Sequence, residues 1–227
     1  MSMPMYVPPE QLMLDRAEFA RKGIARGRSV AVCKLDAGVL FVAENHSTTL
    51  HKVSEIHDRI GFAAVGRYHE FEMLRVAGIR HADLRGYSYD RTDVTARSLA
   101  GAYSQILGTT FASSVEKPYE VELIVAELGQ QPSDDVLYRI SYDGVITDER
   151  TFTVIGGEPE RIVEAVGEGL SGDVGVGEAL RTLARGLRPG TGLGAAQVEV
   201  GFLDRRAGRR RTFRRIEGDE LEGLLRG

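Results

Sequence analysis

The chain has 227 residues, 42% of them apolar, the size of one large folding unit, and its 29 basic against 33 acidic residues give no reason to expect a polyanion partner for the whole surface. Cys33 is the single cysteine, which excludes a disulfide framework and a cysteine-based zinc site and fits a reducing cytosol. No run of 18 apolar residues occurs, and MSMPMYVPPEQ has no basic stretch followed by an apolar one, so the expectation is a soluble, cytoplasmic protein with no membrane or nucleic-acid partner.

Residues 1–9 carry Met, Tyr and Pro without a repeating period, which predicts an extended or mobile tail made of Ser2, Met3, Pro4, Met5, Tyr6, Val7, Pro8 and Pro9 after the initiator. From Glu10 to Gly27 apolar residues fall at helical spacing (Leu12, Ala17, Phe19, Ala20, Ile24) among charged ones, so residues 10–27 form a lead-in amphipathic helix. Ser29–Leu35 and Gly38–Ala43 follow as strands joined at Asp36-Ala37. GVLFVA is apolar throughout, the composition of a strand buried on both faces. Glu55–His57 and Ile60–Val65 form the next strand pair, around Asp58-Arg59.

Two long helical patterns come next, His69 to about Leu84 and Asp93 to about Ser113, the second with Thr92 as its expected N-cap. Strand patterns return at Tyr119–Glu127, Val136–Tyr142 and Phe152–Ile155, with Asp143-Gly144 expected to make the hairpin between the last two. Pro159 suits a first helical turn, and Ile162–Leu170 and Gly175–Leu187 make a second helix pair. The chain closes with strands at Gln197–Leu203 and Thr212–Ile216 and a short helix from Asp219. Strands, two helices, strands, two helices, strands is not the alternation of a parallel α/β fold. It suits an α+β, four-layer αββα sandwich of two antiparallel sheets flanked by helix pairs, so that residues 10–227 form a single domain with the sandwich over 28–227.

The order of elements and the phrases AEFARKGIARGRS, AGVLFVAEN, LHKVSEIHDRIGFAAVG, ADLRGYSYDR, KPYEVELIVAE and YRISYDGVITDERTFTVIGG resemble proteasome α-type subunits, whose active relatives are N-terminal-nucleophile hydrolases. RKGIARG and RIGFAAVG are most similar to the actinobacterial branch. The resemblance implies a non-catalytic subunit that forms homo-heptameric outer rings on rings of proteasome β subunits, holds no cofactor, and gates access to the proteolytic chamber with its tail. It also implies docking of a ring-shaped ATPase through the ATPase C-termini, for degradation of proteins tagged with prokaryotic ubiquitin-like protein. One departure limits the carry-over: archaeal and eukaryotic relatives have Tyr-Asp-Arg in the tail, whereas here Tyr89-Asp90-Arg91 lies between the two long helices.

An active relative frees a Thr, Ser or Cys as its N-terminus so that the new amine serves as base. Matching AGVLFVAEN to the active-subunit strand puts that position at Arg28 or Ser29. A self-processed amidohydrolase using Ser29 is therefore the alternative, although Arg28 intervenes where the family cleaves after Gly and release would remove the lead-in helix. A monomeric binding module is a second rival. Lys52 falls where active subunits hold their catalytic lysine. On its own it reads as a solvated lysine beside a strand, while the resemblance makes it the lysine that receives an activator's C-terminal carboxylate. Gly66 is either a strand terminator or a glycine lining the same pocket.

The five histidines, His46, His51, His57, His69 and His81, have no metal-ligand spacing and read as surface or capping residues. Gly190, Gly192 and Gly194 form a loop followed by a strand, without the helix a phosphate cradle needs. Arg205, Arg206, Arg209, Arg210 and Arg211 read as an exposed hairpin tip, with an acidic partner surface as the other reading.

Overall fold

The computed structural model describes residues 8–170 and 174–227. A helix α1 (Pro9–Ala25) leads into strands β1 (Val30–Leu35), β2 (Gly38–Glu44), β3 (Val53–His57) and β4 (Ile60–Gly66). Helices α2 (Tyr68–Ser88) and α3 (Ala96–Ala112) follow, then β5 (Val121–Glu127), β6 (Val136–Ile140), β7 (Ile146–Asp148) and β8 (Phe152–Ile155). Helices α4 (Pro159–Val166) and α5 (Val176–Leu187), strands β9 (Val198–Asp204) and β10 (Phe213–Arg215), and α6 (Gly218–Arg226) complete the chain.

The strands form two five-stranded sheets, ordered β10-β9-β2-β1-β8 and β3-β4-β5-β6-β7, with antiparallel pairing throughout. Side-chain alternation explains why their central strands are apolar without interruption. In β2, Val39, Phe41 and Ala43 enter the core between the sheets while Leu40 and Val42 pack under α4, α5 and α6. In β4, Ala63 and Val65 face the same inter-sheet core while Ile60, Phe62 and Ala64 pack under α2 and α3. Each helix pair thus covers one outer face, which is the four-layer sandwich expected from the sequence. Among the described residues no helix is long and apolar enough to cross a membrane.

The helix α1 is tied into this body at both ends of its buried stripe. Ala20 and Ile24 belong to the inter-sheet core. Arg16 donates from Nη2 to Thr110 O at 2.8 Å and from Nε to Phe111 O at 3.0 Å. Those carbonyls belong to the last turn of α3, where the macrodipole is negative and the C-cap Ser113 N reaches only Thr109 O and Thr110 O, at 3.1 and 3.2 Å, so a guanidinium supplies the further donors. Of the residues expected in the tail, Ser2, Met3, Pro4, Met5, Tyr6 and Val7 lie outside the described residues. Pro8 is the N-cap of α1 and Pro9 its first residue, a position where a missing N–H costs nothing.

Three local expectations are corrected. The helix α3 starts at Ala96 with Thr95 as its N-cap, accepting from Ser98 N, instead of at Asp93 behind Thr92. Asp90 caps a separate single turn, Arg91–Asp93, and the chain then extends so that Val94 can be buried under α2 and α3. Asp143-Gly144 does make a turn, with Gly144 at φ +84°, but it joins β6 to β7 rather than to β8. The strand β8 crosses to the other sheet and pairs with β1. Finally, Arg205 is not part of an exposed tip, because its Nη2 lies 2.6 Å from the buried Asp135 carboxylate and its Nη1 donates to Gly129 O at 2.8 Å.

Candidate functional site

Lys52 directly precedes β3, and its backbone is fixed on both sides: its N–H donates to Glu199 Oε2 at 2.9 Å and its carbonyl accepts from Ala64 N at 3.1 Å. The side chain runs back toward the connection between α1 and β1, where the ammonium donates to Arg28 O at 2.6 Å. Among the described residues no carboxylate lies within 4.0 Å of that ammonium. Burial, followed by the nearby Arg28 guanidinium, pushes the Lys52 ammonium down to about 8, against the opposing pull of Glu44 and Glu199.

Those two carboxylates are occupied elsewhere. Glu44 Oε1 is 2.6 Å from Arg188 Nη2 and 3.5 Å from both Arg28 Nε and His46 Nε2. Glu199, nearly buried, accepts from Arg215 at 2.7 Å, from Asn45 at 2.8 Å and from the backbone of Lys52 and Val53, with His51 Nδ1 at 3.2 Å. Sequence reasoning missed this frame. A glutamate between two valines in a buried strand, as in VEV at 198–200, signals a carboxylate that needs internal partners, but not which ones.

Gly66 ends β4 at φ +120°, and a Cβ there would sit 1.9 Å from Glu120 O. The same Glu120 carbonyl accepts from Arg67 N at 3.0 Å, so the close approach of β4 to β5 by itself requires glycine. The Glu120 side chain is held by Arg67 at 2.6 Å and by Lys117 at 2.8 Å. Lys52 and Gly66 come together around one segment: a Cβ on Gly27 would be 3.2 Å from Gly66 N, and the next residue supplies the carbonyl that Lys52 holds.

Ser29, the first residue after that carbonyl, is buried, and its hydroxyl donates to Gly156 O at 2.9 Å. Its nitrogen is a peptide nitrogen in a chain continuous with α1, so it cannot act as a base. Lys52 is hydrogen-bonded to the preceding carbonyl and not to the serine hydroxyl. Cys33 lies farther along β1 in the core under α4 and α5, and burial pushes its thiol up to about 12. In the unprocessed chain, then, the Ser29 hydroxyl is bound to a carbonyl and burial keeps the Cys33 thiol protonated.

The histidines take separate partners. His57 Nε2 faces Arg91 O at 3.3 Å, His81 Nε2 faces Ser98 Oγ at 3.0 Å, and His69 lies 3.8 Å from Glu70. Among the described residues no group of three or more His, Cys, Asp or Glu side chains is placed to hold a metal ion. Gly190, Gly192 and Gly194 form a loop that passes through one short turn into β9.

Comparison with known proteins bears on this arrangement. The sequence model of the Proteasome family, described as "Proteasome subunit", matches residues 24–199. The chain is 58% identical over 229 residues to "Proteasome subunit alpha" of Saccharopolyspora erythraea, covering 99% of this chain and 89% of that one. It is 54% identical over 233 residues to "Proteasome subunit alpha" of Acidothermus cellulolyticus, covering 100% and 99%. It is 55% identical over 229 residues to the protein of the same description from a Nocardioides species, covering 99% and 90%.

Proposed function

We propose that this chain, which belongs to the proteasome subunit family and is of its actinobacterial alpha type, acts as a non-catalytic gate and docking subunit of the proteasome core. Seven copies form each outer ring, stacked on rings of β subunits that hold the proteolytic threonines. Residues 1–9 obstruct the axial opening, and a ring-shaped ATPase docks its C-termini against Lys52 beside Gly66. The ATPase then delivers proteins tagged with prokaryotic ubiquitin-like protein.

The observation that carries the docking reading is the half-buried Lys52 ammonium with no carboxylate of its own and a backbone carbonyl as its only hydrogen-bond acceptor among the described residues. Such a cation is under-compensated, and a chain-terminal carboxylate would complete it with a charge-assisted hydrogen bond. The non-catalytic reading is supported by Ser29, whose hydroxyl is buried and bound to a carbonyl, and by α1, whose loss would strip Ala20 and Ile24 from the inter-sheet core. The amidohydrolase alternative requires that loss.

Native mass spectrometry after coexpression with the β subunit tests the assembly. The expected species is a stacked particle in which this chain keeps its full mass. A chain shortened by about 28 residues with Ser29 at its terminus, in line with self-release of an N-terminal nucleophile, would contradict the proposal. So would a monomer near 24.9 kDa in the presence of β.

A further inference from the structure

At the end of the sandwich opposite Lys52 the turn between β3 and β4, the loop from α2 to α3, the end of β5 and the β9-β10 hairpin meet. They enclose two adjoining concavities of about 620 and 360 Å³ that share Arg59, Leu128, Gly129, Gln130, Arg209, Arg210 and Thr212 as walls. The carboxylates here are all engaged internally. Asp58 receives a bidentate pair from Arg91 at 2.7 and 3.1 Å, and Asp90 accepts from the backbone and hydroxyl of Thr92 at 2.8 and 2.7 Å. Glu127 accepts from Ala96 N at 2.7 Å, and Asp135 is paired with Arg205.

The cations are not balanced in the same way. The half-buried Arg59 has no carboxylate within 4.0 Å among the described residues; it donates to Leu128 O at 2.6 Å and to Gly129 O, the carbonyl that Arg205 also uses. Arg209 has no ion pair or side-chain hydrogen bond among the described residues, and Arg210 has only a 4.0 Å approach to Asp58. Arg205 is already paired with Asp135, so the cations left without a close carboxylate are Arg59, Arg209 and, but for its 4.0 Å approach to Asp58, Arg210; Asp90 and Glu127, held by neutral donors, offset part of that charge from the same wall.

The chain that enters this groove as Asp90–Thr92 comes directly from the end of α2, where Tyr87 and Tyr89 are 91% and 76% exposed. Exposed tyrosine one residue before a wall of the groove adds aromatic surface to a patch that holds unpaired arginine, and two adjoining concavities of about 620 and 360 Å³ along shared walls suit a segment of chain better than a compact ion.

From these features we infer that the groove between the β9-β10 hairpin and the β3-β4 turn is a docking site for an extended acidic segment of another protein, its carboxylates taken by Arg59, Arg209 and Arg210. This site is separate from the Lys52 cleft and does not depend on the gate and docking reading. The test uses the full chain and a labelled decapeptide of alternating Glu and Ser, blocked as the amide at its C-terminus so that Lys52 is offered no terminal carboxylate, measured by fluorescence anisotropy at low salt. The peptide should bind, its Gln-for-Glu counterpart should not, and Arg209→Glu with Arg210→Glu should weaken binding at least about tenfold. Arg161→Glu with Arg226→Glu changes the net charge equally at exposed sites elsewhere and should change binding less than about twofold; Lys52→Ala should leave it unchanged. No binding by the unaltered chain, an equal loss in the control pair, a loss in Lys52→Ala, or binding of tripolyphosphate without the peptide would each overturn the assignment.

Discussion

If a terminal carboxylate docks on Lys52, the lowered proton affinity of that lysine makes docking depend on pH in a defined direction. In the free chain the ammonium is pushed from an ordinary 10.5 down to about 8. A carboxylate that restored the ordinary value would regain on the order of 3 kcal/mol, at ~1.36 kcal/mol per unit. Because the docked state has the higher proton affinity, the stabilisation is fully present below pH 8 and is lost as pH rises from there toward the docked value. With 8 and 10.5 as the two values, an N-acetylated peptide of the ATPase's last ten residues should bind about twentyfold more weakly at pH 9.5 than at pH 7.5, or ~1.8 kcal/mol. Its C-terminal amide should bind weakly at both. Isothermal titration between pH 7.5 and 9.5 stays above the ordinary imidazole range, and Lys52→Arg, charged throughout, should flatten the profile. A flat profile with lysine in place, or an unchanged slope with arginine, would refute the reasoning.

Deleting Ser2 to Pro8 should leave the fold intact, since the first packed residues of α1 come later, and should raise peptide hydrolysis by the coassembled particle severalfold without activator; basal hydrolysis equal to the unaltered particle would remove the gate assignment. Ser29→Ala and Cys33→Ala should leave turnover unchanged, with Ser29→Ala costing only ~1 kcal/mol of stability for the lost bond to Gly156 O; a drop in turnover with assembly preserved would revive the hydrolase reading. Gly78 on α2 faces Tyr103 on α3, and a Cβ there would sit 1.8 Å from the tyrosine hydroxyl, which is buried without a partner among the described residues. Gly78→Ala should therefore cost roughly 1–3 kcal/mol in denaturant titration, while Tyr103→Phe should be neutral or stabilising by ~1 kcal/mol and should relieve only part of the loss in the alanine variant, because the ring Cζ would still lie 2.8 Å from the added Cβ; a loss above ~1 kcal/mol in Tyr103→Phe would contradict this.

A sheet covered on both faces was legible in GVLFVA of β2, where no polar residue interrupts the pattern, whereas the order of the layers is not encoded in periodicity and shows only in how β2 and β4 divide their side chains between the inter-sheet core and the helices. Boundaries were less legible where two signals competed. TDVT offers two threonine caps, and what decides between them is the burial of Val94, a tertiary event that periodicity does not encode. The strand β7 escaped notice because its three residues are all exposed and carry no alternation. Lys52 was singled out through resemblance, and nothing local told it from a solvated lysine. Its setting depends on Glu199, 147 residues away, and on Arg28 O, 24 residues back, which only the closed sandwich brings together. Gly66 was left between two readings, and its positive φ against Glu120 O gives the structural one a sufficient cause.

The central claim rests on Lys52 as the receiver of a terminal carboxylate. Its most direct test is equilibrium binding of the ATPase ring to particles assembled with Lys52→Ala, measured together with basal peptide hydrolysis. Removing one partner of a partly desolvated charge pair costs ~2–5 kcal/mol where it is well buried, and avidity multiplies a smaller loss around a ring. The expected result is normal assembly and unchanged basal hydrolysis, with ATPase binding and ATP-driven degradation of tagged substrates lost. ATPase binding as tight as that of the unaltered particle would return Lys52 to a lysine held by its own chain alone.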